Sequence, residues 1–171
     1  NIAFHSGIGG GGFMLLHMRN KQNPSLFNDT YIDFREAAPG AATQDMFLNG
    51  KQASGTHGPL SMCVPGEIAG FEMAHKQYGQ LPWSRLFEHA INLAAFGFAV
   101  EPLMEARLLE VKTDIFKYEE LREQFTKRAP SGELVLVQAG DHIKRPKLAA
   151  TLRKIAAQGA PVLYDCSYSA L

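Results

Sequence analysis

Cysteine is scarce in this chain. Only Cys63 and Cys166 occur among 171 residues, too few for a disulfide-stapled scaffold. They form no CxxC pair, so the usual zinc and thiol-redox patterns are missing. Net charge is missing as well, because 17 basic side chains balance 17 acidic ones. A nucleic-acid module normally carries a basic excess, so no nucleic-acid partner is expected. No apolar run approaches the roughly 20 residues that a membrane-spanning helix needs. Neither a Met nor a charged leader opens the chain at Asn1, and Leu171 closes it where another element looks set to begin. We therefore expect a piece of a longer protein, with no targeting segment in this span.

What is present reads as an ordinary folded protein. The chain is 46% hydrophobic and 20% charged, which excludes a disordered tail. At roughly 150 residues per domain, residues 1–171 read as a single domain. Gly7–Gly12 is followed by the apolar run Phe13-Met14-Leu15-Leu16-His17-Met18, a buried strand by composition. A polar loop from Arg19 to Asp29 leads to the alternating segment Thr30–Arg35, a second strand, and the two make an antiparallel pair. A short helical piece is predicted at Gln44–Leu48, and a strand at Leu60–Val64, ended by Pro65-Gly66.

The second half is mostly helical. Apolar spacing predicts a helix over Glu67–Tyr78 and another from Leu81 to Gly97, with Pro82 in its first turn. A third runs from Leu103 to Phe116 and toward Phe125, and a fourth covers Pro146–Gln158 with Gly159 as its cap. A short strand lies at Leu134–Val137. Strands first and helices after give an α/β or α+β fold.

The candidate chemistry is sparse. Gly7–Gly12 matches G-x-G-x-x-G, but a dinucleotide loop needs a helix directly after it, and strand-like residues follow here. A tight glycine turn between closely packed backbones is the simpler reading. The histidines, His5, His17, His57, His75, His89 and His142, show no H-E-x-x-H spacing, so no metal site is expected. Ser6 and Ser61 lack a nucleophile-elbow pattern. Cys63, in an apolar run, is expected to be a buried inert thiol. Asn28-Asp29-Thr30 is an N-glycosylation sequon in an expected surface loop, a hint of secretion. Arg35 ends a predicted strand before a turn. Its guanidinium fork suits a carboxylate ligand, although an internal ion pair with Asp33, Glu36 or Asp45 is the simpler of the two readings.

Six segments in a fixed order carry a family resemblance. Ser6–Phe13, Asp33-Phe34-Arg35-Glu36-Ala37-Ala38-Pro39, Val64–Gly70, Tyr78–Trp83, Ala95–Val100 and Arg145–Ala149 resemble successive segments of γ-glutamyltranspeptidases. The resemblance implies part of an αββα four-layer N-terminal-nucleophile hydrolase sandwich, truncated at both ends. It implies a proenzyme that cuts itself into a large and a small subunit, with the new N-terminal threonine of the small subunit as nucleophile. That threonine lies outside this chain, so no catalytic residue is expected here. The implied reaction cleaves the γ-glutamyl amide of glutathione and its conjugates without a cofactor, and passes the γ-glutamyl group to water or an amino acid. The partners implied are glutathione, other γ-glutamyl compounds and the small subunit. By the same resemblance Arg35 binds the α-carboxylate of the γ-glutamyl group, which reverses its ranking above. An extracellular or outward-facing membrane-anchored location is expected.

Two readings of other classes stand beside this one: a non-catalytic binding or scaffold relative that keeps Arg35 without the threonine, and a nucleotide-binding domain built on the glycine loop. Strands separated from their neighbours leave unpaired edges, so the isolated chain is expected to be poorly soluble. A sharp cooperative melt of the isolated chain would contradict this.

Overall fold

A computed structural model describes residues 7–48 and 58–165. Contacts divide the chain into two compact units, one spanning Ser6–Tyr78 and the other Gly79–Leu171 with the first five residues.

The Ser6–Tyr78 unit is built on a hairpin. Strand β1 (Phe13–Arg19) pairs antiparallel with β2 (Phe27–Asp33), in the register Phe13 to Asp33 through Arg19 to Phe27. The ladder gains one further pair. Phe34 N–H donates to Gly12 O at 3.0 Å, and Gly12 N–H donates to Phe34 O at 3.3 Å. The connecting loop is closed by Asn20, whose Oδ1 accepts from the N–H groups of Gln22 and Asn23. Helix α1 (Glu67–Tyr78) packs on β2, and Thr30 Oγ1 lies 2.6 Å from Tyr78 Oη.

Two predictions in this unit need correction. Gln44–Leu48 lies in four-residue turns, Met46 N–H to Thr43 O and Leu48 N–H to Asp45 O, and not in a helix. Leu60–Val64 is not a strand either. Pro59–Ser61 is a single 3-10 turn, and only Val64 reaches a partner, in a bridge to Ala37. Prolines 59 and 65 bracket the run, and neither can donate to a ladder. Without a ladder to bury it, Cys63 is exposed, contrary to the expected buried thiol.

The Gly79–Leu171 unit begins with a 3-10 turn, Trp83–Phe87, that runs into α2 (Glu88–Phe96). Strand β3 (Phe98–Ala99) follows. The predicted third helix is three: α3 (Pro102–Glu110), α4 (Lys112–Lys117) and α5 (Glu119–Phe125). The breaks fall at Val111 (φ −109°, ψ 20°) and at the extended Tyr118. They let Met104, Leu108, Ile115 and Phe125 turn into one core with Val100, Leu136, Val137 and Ile143, which a straight helix of this length does not do. Strand β4 (Thr126–Arg128) pairs with β5 (Leu134–Leu136), and β6 (His142–Ile143) pairs back to β3. Helix α6 (Pro146–Gln158) matches its predicted span and lies against α2. Trp83 fixes that packing by donating its indole N–H to Ile155 O at 3.0 Å. Asp141 is gripped by the Lys127 ammonium and the Gln138 N–H, which together hold its carboxyl below the usual carboxylate range.

The mixed fold class expected from the sequence is thus the one observed, with three two-stranded sheets among the described residues. The closest packing lies around Phe34. A Cβ on Gly66 would fall inside the Phe34 carbonyl, and a Cβ on Gly70 would overlap its ring. Gly70 is a helical residue, so Gly70→Ala gains up to about 1 kcal/mol of helix propensity. The overlap costs about 1–3 kcal/mol, and the overlap wins. Gly70→Ala in the full-length parent is expected to lower the urea midpoint; an equal or higher midpoint would show that the ring moves aside freely.

Candidate substrate-binding site

Arg35 follows directly on the strand pairing. Its backbone is clamped on both sides. Arg35 N–H donates to Asp33 Oδ1 at 3.0 Å, and two residues later Ala37 joins Val64 through paired hydrogen bonds of 3.1 and 2.8 Å. Between these clamps Arg35 and Glu36 project toward an open cavity of about 500 Å³, lined also by Gly9, Ser61, Met62, Cys63 and Pro65.

The ion-pair reading of Arg35 is present in the geometry. Arg35 Nε donates to Glu36 Oε2 at 3.1 Å, and Glu36 is its only ion-pair partner among the described residues. The Arg35 side chain is nevertheless 69% exposed. No ion pair to the terminal edge of the fork is found among the described residues, and such an edge can hold a carboxylate through two parallel N–H bonds. Asp45 takes no part in an ion pair with Arg35, and Asp33 holds its backbone instead.

Sequence reasoning missed Glu67. This first residue of α1 donates its N–H to Gly10 O at 3.0 Å, beside Gly66 N–H at 2.9 Å. Its carboxylate lies beside the glycine turn, Oε2 standing 3.8 Å from the point where a Cβ on Gly10 would be. Burial raises the Glu67 carboxyl above the ordinary range and the nearby Glu36 charge adds to this, while the backbone amide of Gly7 opposes both. The only local signal was an acid at a helix start, which usually marks no more than a favourable dipole.

The glycine segment has a packing role. Gly12 belongs to the hairpin ladder, and β1 follows immediately, so the helix that a dinucleotide fingerprint requires is absent. Ser61 Oγ donates to Gly58 O within a turn. His17 stacks on Phe27 and lies 2.5 Å from Asp29, on the exposed face of the hairpin. Asn28 lies within β2 and not in the preceding loop, because the strand begins at Phe27. It is exposed, and its Oδ1 accepts from Asn20 Nδ2 at 3.0 Å. Ser6, His5, His57 and Cys166 lie outside the described residues.

Comparison with known proteins gives the family. The gamma-glutamyltranspeptidase family model matches residues 2–169. The chain belongs to that family. It is 45% identical over 162 residues to the glutathione hydrolase proenzyme of Arthroderma benhamiae, covering 94% of this chain and 26% of that protein. It is 41% identical over 160 residues to scoloptoxin SSD14 of Scolopendra dehaani, again 94% of this chain and 26% of that protein. In structure it matches the Helicobacter pylori gamma-glutamyltranspeptidase with a TM-score of 0.80 at 32% identity, over 94% of this chain and 44% of that one. The chain thus spans about a quarter of the length of these curated relatives. Its fold is part of the N-terminal-nucleophile hydrolase architecture that its structural relatives share.

Proposed function

We propose that this gamma-glutamyltranspeptidase-family chain is a large-subunit portion of an enzyme that cleaves γ-glutamyl amides. Glutathione and its conjugates are the donors, and water or an amino acid is the acceptor. The observation that carries this reading is Arg35, its Nε held by Glu36 and its largely exposed side chain lining a cavity. The terminal edge of its fork suits the α-carboxylate of a γ-glutamyl group, which it would hold by two charge-assisted hydrogen bonds. A related protein named as a glutathione hydrolase proenzyme supports a precursor that matures into two subunits.

In the proposed reaction the nucleophile is an N-terminal threonine supplied by the small subunit. Its α-amine takes the hydroxyl proton. The threonine oxygen attacks the γ-carbonyl carbon, the C–N bond breaks, and the proton leaves with the amine product. The resulting γ-glutamyl ester is then opened by water or by an acceptor amine, which restores the hydroxyl. Arg35 takes no part in bond making and fixes the position of the γ-carbonyl through the other end of the donor. No residue of this chain is assigned to the covalent step, and no cofactor is invoked. The proposal also puts the parent outside the cell or anchored facing outward, supported by the exposed sequon asparagine, Asn28.

Intact mass and N-terminal sequencing of the expressed parent test the reading. Two chains are expected, the smaller beginning with threonine, and Asn28→Gln is expected to remove the mass of one N-glycan. A single uncut chain would point to a non-catalytic relative. Arg35→Lys loses the fork, and breaking such a charge pair costs on the order of 2–5 kcal/mol. We expect kcat/KM for γ-glutamyl donors to fall by about thirtyfold or more. A change below about twofold would leave Arg35 a structural residue.

A further inference from the structure

We propose that Lys144, Arg145 and Lys147 bind a compact phosphate-type oxyanion in a small cavity of the Gly79–Leu171 unit. The residues lining this cavity are shared with none that line the Arg35 cavity.

The cavity has a volume of about 200 Å³. Three cations, Lys144, Arg145 and Lys147, line it against a single acid, Glu123. Arg145 is the fixed member of the group. Its N–H donates to Ala94 O at 2.8 Å, and its carbonyl accepts from Ala149 N–H at 3.0 Å. The backbone is thus held on both sides. The Arg145 side chain is partly buried, and its Nε donates to Gln124 Oε1 at 3.3 Å. That acceptor is a neutral amide. No acid pairs with Arg145 or Lys144 among the described residues. Glu123 stands 3.8 Å from Lys147, with both side chains mostly exposed, and such a pair has little hold of its own.

A guanidinium drawn out of water without a counter-charge raises the free energy of the fold. Two further cations on the same cavity raise it again. An anion shared by the three relieves both costs. The type of anion follows from the lining. Arginine recognises phosphate through its planar fork, and lysine does so as a point charge. A single carboxylate would leave part of the cationic surplus uncancelled, whereas a phosphate dianion matches it. Size sets the other limit, because sites for drug-sized ligands run to roughly 300–1,000 Å³. The ligand is therefore a free phosphate or the terminal phosphate of an ester.

The test is the thermal melt of the full-length parent in rising inorganic phosphate, with chloride adjusted to hold ionic strength constant. Phosphate stabilises folded proteins in general by exclusion from their surface, so saturation and the variants decide. The Tm of the wild-type parent is expected to rise along a saturable curve, as for a ligand that binds the folded state alone. Arg145→Gln is expected to raise the half-saturating concentration by about tenfold or more. Lys144→Gln combined with Lys147→Gln is expected to raise it by about threefold or more. Should Arg145→Gln not fold, the double lysine variant decides, since both of its sites are exposed. Arg35→Lys is expected to leave the curve in place. Phenyl phosphate then separates the two sources. An equal response means that the phosphate of an ester enters, and a response to inorganic phosphate alone means a site for the free ion; either supports the proposal. A rise that never saturates, a curve that either folded variant leaves unchanged, or a curve lost in Arg35→Lys would each overturn it.

Discussion

The steric constraint around Phe34 is the one on which the candidate site depends. Its carbonyl occupies the space where Gly66 would carry a side chain, and its ring occupies that space at Gly70. The ring also meets Phe71 edge-on, with centroids 5.6 Å apart. Helix α1 can therefore approach the end of β2 only where it offers glycine. Arg35 is the next residue along. Its position relative to α1, and so to Glu67, follows from that approach rather than from any contact of its own side chain.

Charge then selects what the steric frame allows. An exposed ion pair such as Arg35–Glu36 adds little to stability. Its effect is directional: Glu36 engages the Nε side of the guanidinium. A second acid nearby raises the electrostatic cost of the arrangement, and the Gly7 N–H offsets part of that cost at Glu67.

Much of this was readable from the sequence where the signal was local. The hairpin followed from an apolar run and an alternating segment separated by a polar loop, and α6 from its periodic stripe between Pro146 and Gly159. Arg35 was visible as a strand-end arginine, but its exposure was not, since exposure depends on neighbours far along the chain. Glu67 N–H meets Gly10 O from far along the chain, a pairing that no periodicity encodes. Cys63 was misjudged because an apolar run was taken to imply burial, and burial requires a partner that its flanking prolines deny. The divided third helix was misjudged for the opposite reason. Its local pattern is helical throughout, and the shared core decides where it bends.

The bond between Thr30 and Tyr78 sets an order of events. Thr30 is the hydroxyl residue of the Asn28 sequon, and in the folded unit that hydroxyl is engaged by the last residue of α1. Asn28 itself sits in a strand already paired to β1. An enzyme that reads the asparagine and the threonine together finds both free only while the chain is still extended, before α1 closes over β2. Were this sequon used, the window for glycan addition would close as this unit folds, and a slower-folding variant would hold it open longer.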